Sequence, residues 1–275
     1  MADITLTAKA NPPFQPLDLR EISPDNFAGK TPEQIASLPI WIGNRPSTLG
    51  AVFDVKGETS ATPQDLTITV EGGLPNSRRI GAKMTAGKII INGQTGIYAG
   101  AEMKNGQIIV NGDAGEWAGL AMKGGSIEIT GNAGNFLGAA YRGARSGMKG
   151  GIIVVKGNAG SEAAAWMSGG LIKISGDAGL MPGIHMTGGS ILIGGNCPGR
   201  VGASMTGGKI AVVGKTDDLL AGFQIEEIKD KAKIENDKIP GPFYAFSGDN
   251  AEAGTGKLFI HKEKNPHLAG YEAFL

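Results

Sequence analysis

The sequence predicts an all-β fold: a right-handed parallel β-helix, a solenoid of 19-residue coils with a small cap at each end. Three observations predict it. A methionine recurs at Met84, Met103, Met122, Met148, Met167, Met186 and Met205, stepping by 19 residues except for 26 between Met122 and Met148. Around each one stands the frame M-x-x-G-x-[IV]-x-[IV]-x-G, from MTAGKIIING to MTGGKIAVVG. Glycine supplies 46 of 275 residues, more than double the usual ~7%. Corners that other residues would strain account for the excess.

Counting from each methionine, offsets +5 and +7 are aliphatic in every copy, as in Ile108/Val110 and Ile172/Ile174. Period-two alternation of β-branched residues reads as a short strand. Offsets −4, −2 and 0 (Ala99, Ala101, Met103 in one copy) are expected to alternate inward as a second strand. Strand, corner, strand and corner then close one coil. The methionine row reads as core packing rather than a metal or redox site, because a flexible thioether fills a stacked row easily.

The array is expected over 66–215, with an N-terminal cap at 1–65 and a C-terminal capping segment and arm at 216–275. The cap opens with a strand, Ile4-Thr5-Leu6-Thr7, and a proline-rich stretch. Thr31-Pro32-Glu33-Gln34 carries a capping Thr, Pro at the first helical position and Gln three residues after the cap. This predicts one short helix to about Leu38, stopped by Pro39. Val52–Val55 reads as a strand, and 66–70 as a first, irregular coil. Two extra residues fall in the 72–83 connection, near Arg78-Arg79. Solenoid ends need caps because an unpaired strand edge invites aggregation. Residues 216–240 read as charged and irregular. Phe243–Phe246 and Lys257–Ile260 read as two covering strands, and Asn265 onward as an arm.

Composition narrows the function. Lysine plus arginine balance aspartate plus glutamate at 26 each, so nothing argues for nucleic acid or an acidic membrane surface. No run approaches a membrane span, and no N-terminal signal pattern stands in MADITLTAKANPPF. The single cysteine, Cys197, permits no intrachain disulfide and fits a cytoplasmic setting. The three histidines are scattered, which argues against a zinc cluster. The Asp/Asn row at offset +10 (Asp113, Asn132, Asn158, Asp177, Asn196) reads as a turn hydrogen-bond ladder rather than a calcium site. No catalytic, cofactor or metal residue is predicted.

The outward positions are the unusual ones. Offset −3 is glycine in nearly every copy, including Gly100, Gly119 and Gly138, and is expected to be flat, exposed backbone. Beside it stand Tyr98, Trp117 and Phe136 at −5, and Trp166 and His185 at −1. Offset +6 carries Ile90, Ile109, Val154 and Leu192, with Ile152 and Leu171 at +4. Apolar ladders on an outer face mark interfaces, unless the chain's own ends cover them. The one insertion, Tyr141 to Gly147, reads either as a tolerated surface loop or as a docking loop, with Arg142 and Arg145 as forked donors. Tyr98, Gly100, Trp117, Gly119, Phe136, Gly138, Arg142, Arg145, Trp166 and His185 are the predicted partner interface.

Longer matches point to a family. GAxMxGGxIxIxGxAG, NFAGKTPEQI, VFDVKG, YRGARSGMKGG, MPGIHM and the NPHL tail resemble the C subunit of archaeal formylmethanofuran dehydrogenase. The C subunit of the bacterial formyltransferase/hydrolase complex shares the repeat and the N-terminal segment. The glutamate synthase large subunit shares the glycine repeat. The resemblance implies a complex that reduces CO2 at a tungsten- or molybdenum-pterin site and condenses formate with methanofuran at a dinuclear metal site, the first step of methanogenesis. Iron–sulfur subunits feed it electrons. It also implies that these centres lie in the amidohydrolase-type, molybdopterin-type and iron–sulfur chains. The C subunit would then be a scaffold without an active site. A stand-alone polysaccharide-cleaving β-helix would need clustered carboxylates on one outer face, which are lacking.

Overall fold

The computed structural model describes residues 2–10 and 13–275; Asn11 and Pro12 of the proline-rich stretch lie outside them. The fold is all-β with a few short helices. Its first segment contains β1 (Ala2–Ala8), β2 (Leu17–Asp18), α1 (Pro24–Phe27), α2 (Pro32–Ala36), β3 (Pro39–Ile42), β4 (Arg45–Thr48), α3 (Leu49–Val52) and β5 (Phe53–Gly57). The repeats contain β6 (Leu66–Glu71), β7 (Leu74–Arg78), β8 (Lys88–Asn92), β9 (Thr95–Ile97), β10 (Gln107–Asn111), β11 (Ser126–Ile129), β12 (Ile152–Val155), β13 (Leu171–Ile174), β14 (Ser190–Ile193) and β15 (Lys209–Val212). Then follow β16 (Gln224–Ile234), β17 (Asp237–Gly248) and β18 (Gly256–His261).

One mixed sheet of 13 strands runs through the molecule in the order β16-β17-β18-β15-β14-β13-β12-β11-β10-β8-β6-β1-β5. From β1 to β18 every pairing in it is parallel, and its two ends are antiparallel. Successive repeats stack in constant register. Ile108 sits opposite Ile127, and Ile127 opposite Ile153 despite the insertion between them. The alternation expected at +5 and +7 is present: Ile89, Ile108, Ile127, Ile153, Ile172, Ile191 and Ile210 are at most 1% exposed. A second sheet, β4-β3-β2-β7-β9, continues as single parallel bridges through Ala114, Ala133, Ala159 and Ala178. These alanines and the methionine row complete the buried core. Each fully buried isoleucine or methionine contributes roughly 2 kcal/mol.

The Asp/Asn row forms the expected ladder. Asn132 N donates to Asp113 Oδ1 (2.7 Å), Asp177 N to Asn158 Oδ1 (2.8 Å) and Asn196 N to Asp177 Oδ1 (2.6 Å). The α2 cap is also as read. Gln34 N donates to Thr31 Oγ1 and Thr31 N to Gln34 Oε1, although the helix stops at Ala36 rather than Leu38.

Other expectations fail. The first segment holds two helices over 24–36 where one was expected, and Val52 ends α3 rather than opening a strand. Offsets −4 to 0 are not a strand but a run of turns with left-handed φ at −5, −3 and −1, as at Tyr98 (65°), Gly100 (65°) and Glu102 (56°). The left-handed residues bond to the repeats on both sides. Gly100 N donates back to Ile80 O, while Tyr98 N donates forward to Glu116 O. Offset −2 consequently points outward: Ala101 and Leu120 pack with Trp117 in a cluster separate from the main core. The charged segment after 216 is not irregular, because β16 and β17 pair as a long hairpin. Its Ala232, Ile234 and Phe243 lie over Leu171 and Leu192, covering the C-terminal part of the outer apolar ladder. The tail is not a free arm. It winds as a 3₁₀ helix over Pro266–Phe274, buries Leu268, and receives the Tyr244 hydroxyl on Glu272 Oε1 (2.7 Å).

Candidate interaction site

The turn run carries an aromatic wall on its outer side. Because offset −5 falls at the same point of each repeat, Tyr98, Trp117 and Phe136 stack in a column. Their ring centres are 5.5 Å and 4.5 Å apart, and the Trp117 and Phe136 planes differ by 11°. In the next two repeats, Trp166 and His185 stack at 4.2 Å. Such offset stacking suits the ring quadrupoles.

The insertion lies across this wall. It leaves at Gly138, closes a turn in which Ala144 N donates to Tyr141 O, and returns where Met148 N donates to Gly138 O. Gly143 supplies the left-handed residue of that turn (φ 81°). Arg142 sits 5.6 Å from the Trp117 ring centre and 5.8 Å from that of Phe136, and Arg145 sits 5.7 Å from that of Trp166. Each exposed cation–π contact is worth roughly 0.5–1 kcal/mol. Tyr141 reaches Tyr98 at 6.4 Å. The loop itself remains exposed.

The ten predicted residues therefore divide. Tyr98, Trp117, Phe136, Trp166, His185, Arg142 and Arg145 gather on one face. Gly100, Gly119 and Gly138 do not join them. All three are buried and face the core: a Cβ on Gly100 would lie 2.5 Å from Ile127 Cδ1, and one on Gly138 2.6 Å from Ile172 Cδ1. At their left-handed φ of 65–67° a side chain would point into the core, so the stripe is core and not exposed backbone. Trp117 is only 7% exposed, covered by its neighbours and the insertion loop rather than by the C-terminal tail. Its Nε1 is buried without an acceptor among the described residues.

A cavity of about 610 Å³ opens beside the wall, between the insertion loop and residues 20–26. Most of its charges are already paired. Arg20 and Arg79 both hold Asp18, at 2.5 and 2.6 Å, and Thr85 N donates to Asp25 Oδ2. Burial pushes the Asp18 carboxyl up, but the Arg20 hydrogen bond and the Arg79 and Arg20 charges together hold it below its ordinary value. Burial first, then Tyr141, raises the Tyr98 phenol, against the pull of Arg79, Arg78 and Arg142. It stays protonated at neutral pH. Sequence reading missed Tyr141 and Arg79 as part of this site. The signals were their positions in the insertion and in the two-residue excess before the first full repeat.

Burial raises the Cys197 thiol to about 11, so it is no nucleophile at neutral pH. Among the described residues no group of three His, Cys, Asp or Glu could hold a metal ion, and no helix is long and apolar enough to cross a membrane.

This geometry defines a class: an all-β repeat protein whose elaborated surface is an arginine-clasped aromatic wall. Comparison with known proteins narrows it. No family model matches the chain. Over 98 residues it is 44% identical to the C subunit of the tungsten-containing formylmethanofuran dehydrogenase 2 of Methanothermobacter wolfeii, covering 36% of each chain. Over 98 residues it is 37% identical to the C subunit of the molybdenum-containing formylmethanofuran dehydrogenase 1 of Methanosarcina barkeri, covering 36% of this chain and 32% of that one. The match thus spans about a third of these curated relatives. In three dimensions the chain superposes, with a TM-score of 0.81 and 28% identity, on a chain in the crystal structure of the formyltransferase/hydrolase complex (FhcABCD) from Methylorubrum extorquens in complex with methylofuran. That match covers 94% of this chain and 99% of the other. The chain resembles the C subunit of formylmethanofuran dehydrogenase.

Proposed function

We propose that this chain is the non-catalytic scaffold subunit of a formylmethanofuran dehydrogenase complex, its repeats forming a right-handed parallel β-helix between end segments 1–65 and 216–275. It holds the amidohydrolase-type and molybdopterin-type subunits in fixed relation in the cytoplasm, so that formate passes between them. The superposition over nearly the whole chain, onto a member of a multi-subunit assembly, carries this reading. The chain's own donors fit none of the complex's centres, with one cysteine and no metal-holding cluster among the described residues. The tungsten- or molybdenum-pterin, the iron–sulfur clusters and the dinuclear site belong to other subunits.

Two surfaces serve as the interface. One is the aromatic wall with Arg142 and Arg145, on which Gly100, Gly119 and Gly138 act only from behind, by setting the backbone. The other is the part of the apolar ladder that the hairpin leaves bare: Ile90, Ile109 and Val154 are half-buried, and Ile152 is 44% exposed.

A second reading has its own support. The superposed chain belongs to a formyltransferase/hydrolase complex, so the partners would be a hydrolase and a formyltransferase without a metal-pterin subunit. Affinity purification of the tagged chain from its native cells, with mass spectrometry of the co-eluting proteins, decides. A molybdopterin-type chain with stoichiometric tungsten or molybdenum supports the first reading. A formyltransferase chain without either metal supports the second. A chain that elutes alone refutes both.

A further inference from the structure

The guanidinium groups of the insertion loop differ from those of the cavity. Arg20 and Arg79 are spent on Asp18. Arg142 and Arg145 rest on aromatic rings, and among the described residues neither forms an ion pair. A guanidinium seated on a ring still presents its planar N–H edge, the fork that matches a carboxylate. No nearby acid among the described residues pairs with either of them. Glu102 faces Lys83 at 3.8 Å, Glu116 accepts from Asn135, and Glu162, next after Phe136 in the −5 column, makes no ion pair. Beneath Arg142 lies the Trp117 ring, whose buried Nε1 has no acceptor among the described residues. Two unpaired cations and an unanswered N–H therefore converge on one patch of the wall. A neutral or basic partner would leave all three unsatisfied.

We propose that this patch docks an extended acidic segment of a partner polypeptide, whose carboxylates take the outer edges of Arg142 and Arg145. A carboxylate drawn to Arg142 also supplies Trp117 with its acceptor, once the exposed loop re-seats. The inference rests on the wall being an interface and adds the chemistry of what it receives. Planar donors on a low-dielectric aromatic floor favour carboxylates held in a fixed direction over loosely screened charge. The neighbouring cavity offers no such donor set, since both of its arginines are already paired.

The test uses the full-length chain and an octapeptide of alternating Glu and Ala, followed by tryptophan fluorescence and calorimetry. Saturable binding is expected, weakening as salt rises. Arg142→Gln/Arg145→Gln should raise Kd at least tenfold with an unchanged far-ultraviolet spectrum. Arg142→Lys/Arg145→Lys should fall between, because charge remains without the fork. Trp117→Phe should bind several-fold more weakly. An octapeptide that does not bind, that binds the glutamine variant equally well, or that is matched by alternating Lys and Ala overturns the proposal. Should the double variant fail to fold, Arg145→Gln alone carries the same comparison. If subunits still co-purify through the wall while the acidic octapeptide does not bind, the interface reading survives and the acidic partner fails.

Discussion

The strand wall and the turn wall of this molecule stack in the same 19-residue register but by different means. On the strand wall the ladder is ordinary parallel β-structure, and a buried isoleucine or valine fills each inward position. On the turn wall, alternate residues adopt left-handed φ, and the inward position at −3 is glycine in every repeat but one, where Ala164 (φ 61°) is buried in the core. The first wall gains stability from what its side chains bury. The second gains it from what glycine omits, and the isoleucine Cδ1 atoms of the next repeat take the vacated space.

Breaking the turn wall should have the largest effect. Gly119→Val places a β-branched residue at φ 67° and drives its Cβ against Ile153 Cδ1. A loss of roughly 4 kcal/mol or more is expected, seen as insoluble chain or a collapsed urea midpoint. Gly143 is the control. Its φ is 81°, but a Cβ there would meet nothing within 4 Å. Gly143→Ala should cost only about 1 kcal/mol. Equal losses at the two sites would mean that φ strain, not space, governs the wall.

Next come the side chains. Ile127→Ala on the strand wall should cost roughly 2–5 kcal/mol, as for other buried isoleucines. Trp117→Ala should cost about 3 kcal/mol, the low end for a buried aromatic, because the ring is enclosed between Tyr98 and Phe136 but lies outside the main core. Thermal melts of both variants check this. An unchanged melting temperature for Trp117→Ala would show that the aromatic column only decorates the wall.

The smallest effect concerns how the first segment is clamped to the turn wall. Arg79, at the head of that wall, and Arg20 share Asp18, whose folded-state pKa is depressed. A depressed carboxyl stabilises the fold above its unfolded pKa and loses that contribution as pH falls through the folded value. Stability should therefore decline below about pH 4. Asp18→Asn should flatten the Asp18 share of that decline. Denaturation midpoints between pH 7 and pH 3 for both chains measure it, and parallel curves would remove the clamp.

What could be read from residues follows the same division. Period-two Ile/Val pairs give a strand because side-chain direction there depends only on parity. The Asp/Asn ladder was legible because those side chains bond to neighbouring turns. On the turn wall, alternating hydrophobicity suggested a strand. Yet left-handed residues also alternate in direction, and Tyr98, Trp117 and Phe136 are not residue types that advertise positive φ. The parity of Gly100, Gly119 and Gly138 was thereby inverted. The aromatic column was found because its 19-residue spacing does not depend on conformation. Its cover was not, because the Arg142 and Arg145 contacts depend on how a seven-residue loop folds back. The β16–β17 hairpin was hidden by its charges, which face solvent while Ala232, Ile234 and Phe243 carry the packing.

The insertion leaves the register untouched, with Ile127 still opposite Ile153. Length along the array is therefore counted in whole repeats, independently of what any repeat projects sideways. Eight neighbouring parallel strands, β6 to β15, set a span of about 34 Å at the usual strand spacing. Adding or removing one repeat would move the two ends apart or together by about 4.8 Å without altering either end. The strand wall is graduated in whole repeats, and the repeat number sets its length.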